Sequence, residues 1–313
     1  MGDAMEQTQD SRLYCSYRQL VALRAQEPLY QLPPVARLRE LISGRHISHL
    51  RGRGLNFEEL RHYRPGDDIR QLDWRVTLRT GKPHVRVYTE EKDHHVLICV
   101  DQRATMFFAS VDTMKSVVAA QVATLLGWAA IRHSDRLALC PFNDDEVFIN
   151  TPVRSASRYL RQLQQLAEIN QALSVHSQPG SHSSLGLLLD RLLRRRERDA
   201  LIVLVSDFHQ CDEAEIAKLQ QLQRHCRLLC LWVADPLEGE VQQADWVISD
   251  GTRQLQLAEG RTLAAANARL AEQTLARRQQ LQRLMQMSQL PLLELDTGGQ
   301  HLAQLRRALG AGL

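Results

Sequence analysis

Two aspartates that close apolar runs are the residues best placed to do chemistry. Residues 96–100 form a continuous apolar run that stops at Asp101, and residues 201–205 form a second that stops at Ser206-Asp207. Unbroken apolar runs of this length read as strands buried on both faces. Each carboxylate then stands at the carboxyl end of its strand, which in an open α/β sheet is the edge where the ligand crevice forms, at the point where strand order reverses. Carboxylates placed there can share a hard divalent cation with hydroxyls and waters. They can equally cap the helices that follow each strand.

A denser constellation lies upstream. Between Gly52 and Arg79 the chain sets Arg61, Arg70, Arg75 and Arg79 among Asp67, Asp68 and Asp73, with Pro65-Gly66 in the middle. Pro-Gly is turn chemistry, and the aspartates can accept paired hydrogen bonds from the guanidinium forks. Such a network either pins a loop-rich segment onto its neighbour or presents Arg70 and Arg79 to a partner. A nucleotide site is not supported. Phe57 stands where a dinucleotide fingerprint starting at Gly52-x-Gly54 needs its third glycine, and Thr80-Gly81-Lys82-Pro83 lacks the spacing of a phosphate loop.

The elements that must hold these groups alternate from residue 94 onward. Strands are expected at 96–100, 136–142, 146–150, 201–205, 228–233 and 292–295, and helices at 112–132, 155–173, 184–196, 213–225 and 262–288. Asn143-Asp144-Asp145 predicts a hairpin, and Asp250-Gly251 another within 246–257. Strands separated by helices predict an α/β fold with a doubly wound, mostly parallel sheet and an antiparallel hairpin at one edge. Upstream, residues 1–50 read as polar helix broken at Pro33-Pro34. Residues 51–93 read as loops and short strands, with 85–88 alternating like a half-buried strand. The expected organisation is an N-terminal segment, residues 1–93, followed by an α/β domain, residues 94–313.

The span from Gly52 to Arg79 resembles the signature of the DUF58 proteins, commonly encoded beside MoxR-type AAA+ ATPases. The family pattern reads roughly G-x-G-x-E-F, then R-x-Y-x-x-G-D-D-x-R-x-I-D-W, then A-R. This chain matches at Gly52, Gly54, Phe57, Arg61, Tyr63, Gly66, Asp67, Asp68, Arg70, Asp73, Trp74 and Arg79, and departs at Asn56, Leu72 and Leu78. The resemblance implies a von Willebrand A-like fold and an adaptor or chaperone-like role beside a MoxR-type ATPase and a client complex. It also implies a metal site. Asp101 matches the first Asp of the D-x-S-x-S motif of such domains, Thr105 replaces its second Ser, Ser183 aligns with the Thr of a later loop, and Asp207 matches the last Asp. Arg103 stands where the first Ser should coordinate. A guanidinium is always charged and has no acceptor atom. The expectation is a degenerate site in which Arg103 bridges the two aspartates and Mg²⁺ binds weakly or not at all.

Composition narrows the alternatives. Apolar residues make up 44% of 313, and the formal charge is only +3, so no global attraction to nucleic acid follows. Apolar runs are far shorter than a bilayer needs, and acidic residues precede any apolar run at the start of the chain, which predicts a cytoplasmic protein. The six cysteines form no CxxC pair and read as small buried hydrophobes. Five arginines within 191–198 read as a solvated helix end or a contact surface. Neither a nucleophile elbow nor an HExxH motif occurs. The expected function is therefore docking rather than catalysis. The rival expectations are a metal-dependent hydrolase using Asp101 and Asp207, and a nucleic-acid binder using the Arg-rich stretch 37–86.

Overall fold

The structure is a computed structural model that describes residues 10–29, 56–63, 72–89, 95–178, 180, 184–236, 247–249, 254–256 and 261–310. Its core is a five-stranded parallel sheet of β3 (His95–Asp101), β4 (Arg136–Phe142), β5 (Leu201–Ser206), β6 (Arg227–Ala234) and β9 (Leu292–Asp296). The spatial order is β4-β3-β5-β6-β9. Chain order therefore reverses between β3 and β5, and the crevice of a doubly wound sheet opens beyond the carboxyl ends of those two strands.

The four strands β3 to β6 are buried on both faces because their interiors are apolar, whereas the edge strand β9 exposes Glu294; the alternation of side chains divides the core in two. Val96, Ile98 and Val100 of β3, with Val203 and Val205 of β5, face helices α3 (Lys115–Arg132), α4 (Ala156–Gln171) and α8 (His301–Gly310). Leu97, Cys99, Ile202 and Leu204 face the other way, towards α5 (Ser184–Arg195), α6 (Glu213–Gln223) and α7 (Arg261–Met287). Cys99 pairs in register with Cys140, and both lie on this second face with Cys230. Cys15, Cys99, Cys140, Cys226 and Cys230 are buried free thiols, as small core hydrophobes would be, whereas Cys211 is partly exposed.

The sequence suggests a striped helix over 112–132, yet α3 is buried on nearly all sides from Lys115 to Ala130. The reason is a second cover. The short helix α1 (Tyr17–Ala22) and the 3₁₀ turn Leu23–Leu29 pack on α3 and α4, with Cys15 and Leu20 fully buried. Each fully buried side chain of this size contributes roughly 1.5–3 kcal/mol. Arg24 stacks over the Trp128 ring at 5.0 Å. The α3–α4 contact closes at Gly127, where a Cβ would collide with the Tyr159 ring, whose hydroxyl donates to the Thr124 carbonyl at 3.0 Å.

These contacts revise the expected organisation. The chain divides into one unit of residues 1–45 with 94–313, and a second of residues 46–93. The break near 93 is where the sequence suggests it, but the first helix belongs with the sheet because its apolar residues complete that core. The expected strand 146–150 is reduced to isolated bridges, Phe142 to Val147 and Leu137 to Val153, so the edge hairpin closes without a regular second strand. The later hairpin forms as β7 (Val247–Ser249) paired antiparallel with β8 (Gln254–Gln256).

The smaller unit pairs β1 (Asn56–His62) antiparallel with β2 (His84–Thr89), with a register shift between Phe57 and Glu59. Between them the sequence suggests only loops, whereas Trp74–Thr80 forms helix α2. Local caps explain it: the Asp73 side chain accepts from the Arg75 and Val76 amides, and Gly81 ends the helix at φ 70°, where a side chain would be strained.

Candidate functional site

Parallel pairing sets Val100 against Val205, so Asp101 and Asp207 leave their strands side by side at the switch point. Arg103 holds them together. The fully buried Asp101 carboxylate accepts from the Arg103 amide at 3.0 Å, from its Nε at 3.0 Å, from its Nη2 at 2.6 Å and from Ser206 Oγ at 2.6 Å. The same Nη2 lies 3.5 Å from Asp207 Oδ1, and Nη1 donates to the His209 carbonyl at 3.3 Å. Arg103 is only 3% exposed.

A second cation completes the cluster. Lys115, the first residue of α3, places Nζ 3.2 Å from Asp207 Oδ2 and 5.6 Å from the centre of the Phe108 ring. Burial alone would raise the Asp207 pKa. Lys115, Arg103 and the His209 amide, which donates to Oδ1 at 2.8 Å, outweigh that and hold the carboxyl well below the usual range. For Arg103 burial pushes the other way, and Asp101, Asp207 and Asp144 overcome it, raising the guanidinium pKa. Both stay charged. The loop that carries His209 is strained: Phe208 and Gln210 take φ of 50° and 60°, a left-handed conformation costly for side-chain-bearing residues.

Two supports fix this cluster in place. Asp144 Oδ2 accepts from the Ala104 amide at 2.6 Å and its Oδ1 from the Gly180 amide at 2.9 Å, tying two rim loops together. Gln102 Nε2 donates to the Asp101 carbonyl at 2.9 Å and the Ser116 carbonyl at 3.0 Å, while its Oε1 accepts from Asn170 Nδ2 at 2.8 Å. Asn170 Oδ1 in turn accepts from the Cys15 amide at 2.8 Å. A buried amide chain thus runs from the crevice to the N-terminal cover.

Thr105 lies in the 3₁₀ turn Ala104–Met106, its Oγ1 buried with no hydrogen-bond partner among the described residues. Ser183 falls outside the described residues, but its neighbour Ser184, at the start of α5, has an Oγ in the same orphaned condition. These hydroxyls are the donor types a divalent cation would use. The rest of the set does not suit one. Asp101 is already supplied with donors on both oxygens, and Arg103 and Lys115 place two fixed positive charges on the two carboxylates, where they would repel a metal ion. The aspartates do not cap long helices either. Each accepts from the amide two residues on, closing a tight turn, and α6 is capped by Asp212 instead.

Of the upstream signature, Gly52, Gly54, Gly66, Asp67, Asp68 and Arg70 fall outside the described residues, and Phe57 is described only as a backbone position of β1. Asp73 serves as the helix cap rather than only as an ion-pair acceptor, and Arg79 sits in the last turn of α2, where a cation complements the helix dipole. Arg61 Nη1 donates to the His62 carbonyl at 3.2 Å, and the Tyr63 amide to the Pro83 carbonyl at 2.9 Å. Trp74 is 61% exposed and Leu78 84%, one turn apart on the same side of the helix. Sequence reasoning passed over Lys115, Asp144, Ser206 and Ser184. Asp144 was legible only as a turn residue and Lys115 only as a helix charge; Ser206 adjoined a residue already chosen.

Two relatives, an uncharacterized protein of Mycobacterium tuberculosis and its counterpart in Mycobacterium bovis, are each 26% identical over 268 residues, 85% of this chain and 82% of theirs. Among solved structures, the VWA domain of SpRpn10 aligns with 71% of this chain and 99% of its own at 12% identity and a TM-score of 0.39. An aerotolerance-related membrane protein from Bacteroides fragilis aligns with 70% and 97% at 13% identity and 0.37. The fold class rests on the sheet itself. Among the described residues, no helix is long and apolar enough to cross a membrane. The profile described as "Protein of unknown function DUF58" matches residues 59–282, and the chain belongs to that family.

Proposed function

We propose that the carboxyl edge of the sheet is a protein dock of the von Willebrand A type in which Arg103 takes the place of the metal ion. The partner is a MoxR-type AAA+ ATPase, and the role is to help assemble or activate a client complex in the cytoplasm. One observation carries the reading: a single guanidinium, itself buried, bonds Asp101 and reaches Asp207 at 3.5 Å. A metal-bearing dock offers an open coordination position to a partner's carboxylate. Here a fixed positive charge of the protein's own stands at that point, so docking needs no divalent cation. The rim supplies apolar contact through Phe108, 40% exposed with its ring 5.6 Å from Lys115 Nζ, and through Val111, 62% exposed three residues on.

Co-purification with a MoxR-type ATPase, with and without ATP and with and without a chelator, tests the reading. A complex that persists in chelator and is lost in Val111→Glu supports it. Absence of a complex in both nucleotide states counts against the partner. Micromolar Mg²⁺ binding by calorimetry, abolished in Asp101→Ala, counts against the metal-free dock.

A further inference from the structure

The opposite end of the same sheet has a different character. In a parallel sheet every helix-to-strand turn arrives at the amino edge, and three of these turns enter β4, β5 and β6, with β3 lying between the first two. Residues 132–136 lead into β4, 194–200 into β5 and 224–227 into β6. Together they carry eight arginines, no lysine, and three acidic residues, Asp135, Glu197 and Asp199. Residues 90–94, which precede β3 in sequence, add Glu90, Glu91 and Asp93 against Lys92, so the four entries together carry a three-charge excess.

Helix ends account for part of it. α3, α5 and α6 finish at this edge, and each carbonyl end is equivalent to roughly half a negative charge, which arginines complement. Arg132, Arg136 and Arg227 have interactions of their own, so the character of the edge is set by the turn into β5 and by Arg224. Burial sharpens it. Glu197 is half-buried and engaged by Arg195 at 2.9 Å and His95 at 3.3 Å. Arg194, Arg196, Arg198 and Arg224 are exposed and make no side-chain hydrogen bond or ion pair among the described residues. Arg196 and Asp199 have φ of 52° and 57°, which fixes the turn that displays three of these four guanidinium groups.

We infer that this amino edge is a second binding surface, and that its ligand is an acidic peptide segment. Guanidinium forks take carboxylates in paired hydrogen bonds, and Arg clusters recur as readers of acidic motifs. From β4 to β6 there are three inter-strand steps, roughly 14 Å, which an extended peptide crosses in about four residues. The three turns contain no Phe, Tyr or Trp to stack on unpaired bases or to enter a bilayer interface. The span is also well short of one turn of duplex, about 34 Å. The inference goes beyond the carboxyl-edge dock and does not depend on it.

Fluorescence anisotropy with the full chain and a labelled twelve-residue peptide of alternating Asp and Glu tests the assignment. The comparison protein carries Arg194→Glu, Arg196→Glu, Arg198→Glu and Arg224→Glu, four exposed changes whose folding is checked by circular dichroism. The expected result is binding at low salt that weakens as salt rises, and a loss of at least about tenfold in the variant. Val111→Glu, at the other edge, leaves peptide affinity unchanged. Equal binding by wild type and variant overturns the proposal. So does tighter binding to a 24-base-pair duplex, or to phosphatidylserine vesicles, than to the peptide.

Discussion

The two ends of one sheet treat charge in opposite ways. At the carboxyl edge Asp101, Arg103, Lys115 and Asp207 are buried and satisfied by one another. At the amino edge most arginines stand in solvent, and the side chains of Arg194, Arg196, Arg198 and Arg224 have no partner among the described residues. Buried ions interact strongly and hold one arrangement, and breaking such a pair is costly because the orphaned charge stays behind. Exposed ions are screened within a Debye length of about 8–10 Å and contribute little to folding. The charges of the carboxyl edge are thus fixed by one another, whereas those of the amino edge are held by little but solvent.

The comparison breaks first at Arg103. Arg103→Ala leaves two buried carboxylates facing each other and is expected to lower unfolding free energy by about 3–5 kcal/mol in urea titration. Arg103→Ser sharpens the point. It supplies the missing hydroxyl, so millimolar Mg²⁺ should raise its Tm while leaving wild type unmoved.

pH is the next lever, again at the carboxyl end. His301 Nε2 pairs with Gln121 Oε1 at 2.7 Å, and burial lowers its pKa to about 4. A histidine with a depressed folded pKa favours folding fully above its unfolded value, near 6.5, and less as pH falls below it. His209, also lowered chiefly by burial, acts in the same sense. Stability should therefore drop by about 3 kcal/mol between pH 6.5 and 4 on account of His301, with a flatter profile in His301→Gln. Asp207 carries the loss further: its depressed pKa stabilises the fold above the unfolded carboxyl value, about 4, and that contribution disappears at lower pH.

Asn170→Ala, which cuts the buried amide chain, should cost about 1–3 kcal/mol. The smallest effect belongs to the amino edge. The fourfold Arg→Glu variant should shift stability by only about 0.5 kcal/mol per site or less, and the shift should fade at 1 M salt. A large, salt-resistant loss there would erase the contrast.

Much of this was legible in the chain. Runs such as residues 201–205 are too apolar for anything but a doubly covered strand, so both aspartates could be placed on one rim. Arg103 was legible because it follows Asp101 by two residues. Lys115 and Asp144 were not, since their meeting with the site depends on how α3 and the 143–145 turn pack, which no local pattern encodes. The cover by residues 10–29 was half legible: the stretch read as polar helix, but Cys15, Leu20 and Leu23 are too sparse to show that it packs onto the sheet. In the smaller unit, Asp73 was read among the ion pairs, and its capping role needed the Gly81 stop to become visible.

The link from Cys15 through Asn170 to Gln102 gives the leading stretch of the chain leverage over the crevice. Gln102 immediately follows Asp101 and donates to its carbonyl, so the buried amide chain that anchors Cys15 also braces the turn in which Asp101 holds Arg103. The stretch that covers the core is therefore also a strut for the Asp101–Arg103 turn.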